Sequence, residues 1–339
     1  MRRISVLIAS ALIVASVAIY AQTPAPLIFD GRLAFSHDGN QHDDDDHGAS
    51  AMVFAITWAF GMQHKFVHMD YSNHLGSNLS RMDTQMDLSC RGGPRHFLGI
   101  DSNVVFNCQT QLDEAIANFK KQAEMSGPGD TLAYMCAGPM EVAWRCLNAV
   151  SPDKRKFIKA ISHSSWNEKH NDTPQMTHTW SSMKASFPEV RFIDISDQNA
   201  NLGGGSNWNF LTSLPTDLPN LSLDAWTWLK SRVDEVNNTG DVSDCGMTWY
   251  CLTGNQKGQE TDFKARFESP LAMEPVITRD AAIFIQTENA MNRIMPTGNI
   301  YYVNGRCAGM WPPHSAAAFI QNAGSTKRIR LMLQSHNSR

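Results

Sequence analysis

The sequence predicts an α/β fold: a mostly parallel central sheet flanked by helices, Rossmann-like, with loop insertions. Three observations carry this expectation. Short apolar runs alternate with helical patterns at spacings that suit right-handed crossovers. Gly and Pro pairs punctuate the joins, as at Gly127-Pro128-Gly129 and Gly138-Pro139. Of the 339 residues 42% are apolar and only 18% charged, so the chain can bury a large core and is not of the disordered class.

Residues 1–21 stand apart. Arg2 and Arg3 precede an apolar run over 4–20 and then Ala21, the pattern of a secretory signal peptide cleaved after Ala21. A retained membrane anchor is the competing reading of that run. Cleavage would leave residues 22–339 as a single domain, periplasmic or secreted, with no stable membrane span and with oligomeric state left open. Losing two arginines from 29 basic residues widens the excess of the 33 acidic ones, which argues against a nucleic-acid polymer as partner.

The elements follow in order. Strands are expected at 32–36, 65–71, 131–137, 157–163 and 190–196, where apolar side chains run together between turn residues. Helices are expected at 49–60, where Met52, Ala55, Ile56 and Ala59 share a face, and at 111–125, with Leu112, Ala115, Ile116 and Phe119. Further helices are expected at 140–150, 180–187, 223–236 and 244–252. Residues 72–102 read as a polar surface insertion and 203–205 as a Gly-rich loop. The pattern weakens from 260 onward, apart from an alternating stretch at 328–333 that suits an unplaced closing strand.

Seven cysteines in an oxidising compartment leave at least one unpaired. Cys90 and Cys108 flank a loop-like stretch and are the pair expected to form a disulfide; Cys136 and Cys146 are expected as core thiols. No closely spaced pair of cysteines suggests structural zinc or an iron–sulfur cluster.

Chemistry concentrates between the first strand and the first helix. Asp38, Asp43, Asp44, Asp45 and Asp46 fall within nine positions, and so many carboxylates need a cation or screening water to coexist. The loop follows a strand's carboxyl end, where α/β sheets bind ligands. Hard oxygen donors favour calcium or magnesium, whereas His37, His42 and His47 would suit a transition metal; a solvated acidic loop is the plain alternative. Other strand ends carry Asn73-His74, Ala137-Gly138-Pro139 and His163 through Glu168. Each has a modest reading: a loop cap, a helix start, a core histidine. Asp244 before a helix is either an N-cap or another carboxylate of the same site. Trp166 and Trp208 fall in loops on this edge and suit sugar stacking, whereas Trp58, Trp144, Trp226, Trp228 and Trp249 suit packing.

The ordered set resembles the nucleoside hydrolase superfamily, the inosine/uridine-preferring nucleoside hydrolases and their relatives, over about residues 28–170 and more thinly over 241–254. The resemblance implies a calcium site formed by Asp38, Asp46, Asp244 and the carbonyl of Ala137. It implies Asp45 on a sugar hydroxyl and Asn73, Asn167 and Glu168 at the sugar. Asp38 would also be the general base for water attacking an anomeric carbon.

The sequence departs from the family in three places. The loop over 38–46 is longer, Ser243 stands where the family has His before the late Asp, and the segment after the fourth strand matches loosely. The implied activity is calcium-dependent hydrolysis of an extracytoplasmic glycoside, nucleoside or oligosaccharide. The alternatives are a non-catalytic carbohydrate-binding relative and a metal-dependent phosphoesterase.

Overall fold

The computed structural model describes residues 24–40, 46–77, 81–169, 171, 173–234 and 240–272, and the backbone of four strands between 299 and 335. The proposed leader lies outside them, and no described helix is long and apolar enough to cross a membrane.

Six parallel strands form the central sheet: β1 (Arg32–Ser36), β2 (Phe66–Tyr71), β3 (Val105–Asn107), β4 (Leu132–Cys136), β5 (Ile158–Ser162) and β6 (Arg191–Asp194). Their spatial order is β3-β2-β1-β4-β5-β6. All joins are parallel, with Leu33 opposite Phe66 and Ala133, and Tyr134 opposite Ala160. The strand order reverses between β1 and β4, so the carboxyl ends of these neighbours open a crevice at the topological switch point.

Helices cover both faces, which is why the central strands read as unbroken apolar runs. On one face lie α1 (Asp46–Ala59), α2 (Arg81–Gly93), α9 (Ala225–Asp234), α10 (Cys245–Thr253) and α11 (Glu260–Glu268). On the other lie α3 (Leu112–Glu124), α4 (Glu141–Ala149) and α7 (Trp180–Ser186). Short helices α5 (Pro152–Arg155), α6 (Ser165–Lys169) and α8 (Asn199–Leu202) fill the connections. Helix α1 is buried along its whole length, which fits its apolar composition on every side. At the amino end of the sheet Arg32 bonds Asp130, the Gln122 carbonyl and Ser126.

Several expectations are corrected. Residues 72–102 are not a surface loop: α2 and a π-helical turn over Pro94–Leu98 occupy much of the segment. Met86 and Cys90 are one helical turn apart and buried against α1, while Gly93 lets Phe54 pack directly on the backbone. Strand β3 was not expected, because three residues at a sheet edge leave little periodicity. The stretch expected to close the sheet lies in β10 (Ile329–Ser335), which pairs antiparallel with β9 (Ala316–Asn322). A second hairpin joins β7 (Asn299–Tyr301) to β8 (Cys307–Met310).

Cys90 and Cys108 are free thiols. Cys90 lies in the core on the α1 face and Cys108 in the core on the opposite face, so the sheet separates them. Cys136 and Cys146 are buried thiols as expected. Burial pushes the Cys251 thiol up to about 12 and raises Cys136, Cys146 and Cys245 as well, which removes thiolate character. The six described cysteines should therefore resist a disulfide-exchange reagent in the native protein and react together only in denaturant. Oxidation of Cys90 to Cys108 on peptide mapping would contradict this.

Glu141, opening α4, ties down the segment that precedes α7. Its buried carboxylate accepts from Arg145 Nε at 2.8 Å, Thr177 N at 2.9 Å and His178 Nδ1 at 2.7 Å. Burial alone would raise its pKa, but these bonds outweigh it and hold the group below its ordinary 4.5. A lowered folded pKa means the stabilisation is complete above the unfolded value and lost as pH falls through the folded one. Glu141→Gln should cost about 1.5–3 kcal/mol at neutral pH and flatten the decline of stability below about pH 5, read from urea midpoints against pH.

Candidate metal centre

Strand β1 ends in Ser36 and runs on into His37 and Asp38, all buried. Asp46 opens α1, and Asp244 immediately precedes α10. One carboxylate oxygen from each of Asp38, Asp46 and Asp244 lies within 4.8 Å of the other two. Asp38 and Asp46 bracket one loop and Asp244 comes from about 200 residues further on; the three are only 4%, 2% and 8% exposed. These three are therefore not the freely solvated acids of an open loop.

Buried carboxylates this close repel unless a proton or cation lies between them. Burial alone would raise the Asp244 pKa. Hydrogen bonds from His163 and Asp46 and the charges of His163 and His37 overcome this and hold it far below its ordinary value.

The backbone is shaped to the cluster. Gly138 follows β4 with φ +72°, and a Cβ added there would fall 2.2 Å from Cγ of Asp38. Only a glycine leaves room for the Asp38 carboxylate against this turn. The turn is pinned by Asn167, whose Oδ1 accepts from Gly138 N at 3.0 Å and whose Nδ2 donates to the His163 carbonyl at 2.8 Å. Asn167 thus braces the strand-end turns with both ends of its amide. The Ala137 carbonyl accepts from Asn73 Nδ2 at 3.1 Å. Ser72, the preceding residue, has φ 54°, and the N–H groups of Ser72 and Asn73 donate to the carbonyls of Asp38 and His37.

Asp244 does not cap its helix with its side chain. It accepts instead from His163 Nε2 at 2.7 Å. Burial would lower the His163 pKa, but the hydrogen bond and charge of Asp244, helped by Asp197, raise it. Buried His37 has the opposite balance: desolvation dominates and lowers its pKa. His163 was weighed as a core histidine from sequence; its place after β5, level with the acidic loop, is the signal that linked it to the centre. Ser243 is buried, and its N–H donates to Asp241 Oδ1.

Two clefts open at carboxyl ends of the strands. One of about 270 Å³ is lined by Ser162, His163, Ser165, Trp180 and Asp197; the other, of about 360 Å³, by Leu75, Gln109, Asp113, Arg145 and Gln175. Trp166 on α6 is 58% exposed. Trp208 is not on the active edge: it is buried, donates to the Gly240 carbonyl at 2.6 Å and packs edge-on against Phe263. Trp58, Trp226 and Trp249 are buried, as expected. Asp45 lies outside the described residues, as does the side chain of Glu168.

No family model matches the chain, and no solved structure matches it. The chain is similar to an uncharacterized protein, P22, of Formosa agariphila, at 29% identity over 245 residues. That alignment covers 67% of this chain and 85% of the relative.

Proposed function

We propose that the protein is a calcium-dependent glycoside hydrolase of nucleoside hydrolase type, exported and acting on a small glycoside, a nucleoside or an oligosaccharide. The observation that carries this reading is the convergence of buried Asp38, Asp46 and Asp244 at the switch point of the sheet. Their donors are all hard oxygens, and with the Ala137 carbonyl they suit calcium, which tolerates irregular oxygen shells. Calcium, when bound, would hold a water and make it more acidic.

In this reading Asp38 takes the proton from the attacking water at a carboxylate oxygen. Its position against Gly138 gives it one orientation. Fixed negative charge in a buried site would favour the positive character that develops at the anomeric carbon. Asn73, Asp45 and Glu168 would hold sugar hydroxyls, Asn167 would set the turn beside them, and Trp166 would offer a face to a sugar ring. Ser243 supplies no strong acid to a leaving group, which favours substrates whose leaving group departs readily.

A panel of nucleosides and oligosaccharides, incubated with calcium or with a chelator, tests the reading through release of free sugar. Turnover should disappear with chelator, return with calcium and fall at least about 100-fold in Asp38→Ala. Binding of sugar without product from any substrate would replace hydrolysis with a binding role.

A further inference from the structure

Behind the carboxylate cluster a hydrogen-bond chain runs through the sheet to Asn73. Asp70 on β2 is fully buried and accepts from Ser36 Oγ at 2.5 Å, Tyr134 Oη at 3.0 Å and Cys108 Sγ at 3.7 Å. His68 Nε2 lies 3.0 Å from the same oxygen that Tyr134 bonds, Oδ2. With His68 and Cys146 it forms a compact His/Asp/Cys group, but these donors already occupy both carboxylate oxygens.

Donor and acceptor bookkeeping fixes the direction of the chain. Asn118 Nδ2 donates to the Val67 carbonyl at 3.1 Å, so the same NH2 group faces His68 Nδ1 at 3.0 Å. Nδ1 is then the acceptor, and Nε2 carries the proton toward Asp70. Ser36 gives its one proton to Asp70, so its oxygen can only accept, and it accepts from Asn73 Nδ2 at 3.0 Å. The same NH2 group donates to the Ala137 carbonyl. Asn73 is held one way round, with Oδ1 buried and without a hydrogen-bond partner among the described residues. A buried acceptor left in this way is costly unless a donor meets it on binding.

We infer that Asp70 is a positioning residue: acting through Ser36, it sets the amide orientation of Asn73 so that Oδ1 faces a ligand hydroxyl. That the hydroxyl belongs to a sugar rests on the glycoside reading above; the orientation itself does not. In Asp70→Asn, His68 Nε2–H draws the new amide oxygen and the new NH2 turns to Ser36. Ser36 then has no fixed acceptor for its proton, its oxygen is no longer held toward Asn73 Nδ2, and the Asn73 NH2 keeps only the Ala137 carbonyl. Ser36→Ala removes the link while leaving Asp70, His68 and Tyr134 in place.

The test is hydrogen exchange of the Asn73 side-chain amide, read by NMR on 15N-asparagine-labelled protein and assigned by its loss in Asn73→Asp. Exchange should accelerate at least about tenfold in Asp70→Asn and in Ser36→Ala. The double variant should go no further than either single one, since both act on one link. Unchanged exchange in either folded variant, or additive effects in the double, would overturn the inference. Ser36→Ala decides the matter alone if Asp70→Asn does not fold. Failure of the wild-type chain to bind calcium would remove the proposed function and leave this result standing.

Discussion

Gly138→Ala is expected to abolish divalent-cation binding at the carboxylate cluster while leaving the sheet folded. The added Cβ would sit 2.2 Å from Cγ of Asp38 and 2.4 and 2.5 Å from its two oxygens, well inside contact distance. The overlap has no easy relief, because Asp38 is buried and the Gly138 N–H is held by Asn167. Displacing Asp38 removes one of three converging ligands and the proposed base together, so affinity should fall at least about 100-fold. A positive φ of 72° adds a backbone cost of about 1–2 kcal/mol, small enough to separate from binding by a melting curve. Wild-type affinity in Gly138→Ala would mean that Asp38 is not a ligand.

The largest loss of stability is expected from Trp226→Ala. Trp226 is almost fully buried where α1, α9 and α11 meet. Its ring stands edge-on to Trp58 at 5.5 Å and to Phe97 at 5.3 Å, and lies 5.3 Å from Phe267. Its Nε1 donates to the Pro215 carbonyl at 3.0 Å. Truncation would leave a cavity among three aromatic rings and an unpaired carbonyl, a cost of about 3–5 kcal/mol. Trp166→Ala, at an exposed position, should stay within about 0.5 kcal/mol. Urea unfolding of the two variants side by side checks the contrast; similar midpoints would contradict it.

Sequence patterns revealed β1, β2, β4 and β5, whose buried apolar runs have few competing readings, and also the short, more exposed edge strand β6. They failed at β3, too short for a pattern, and at α2, whose buried face is made of Met86, Ser89, Cys90 and Gly93. Helix α11 was missed too, although Phe263 and Phe267, one turn apart in a charged stretch, mark its buried face.

At the centre, the acidic loop after β1 and Asp244 were legible as candidate ligands from their positions, whereas the choice of Asp38 and Asp46 among the five aspartates came from the family resemblance. Asp70 was not legible, since an aspartate inside an apolar strand shows none of the four groups that surround it. The cysteines misled because spacing along a chain carries no information about which face of a sheet each thiol occupies.

Calcium titration of chelator-treated protein by calorimetry tests the central claim most directly. The convergence of Asp38, Asp46 and Asp244 predicts one site per chain, lost in Asp38→Asn and in Asp244→Asn while both variants remain folded. No heat of binding from the wild-type protein at millimolar calcium, or binding unchanged in both variants, would contradict it.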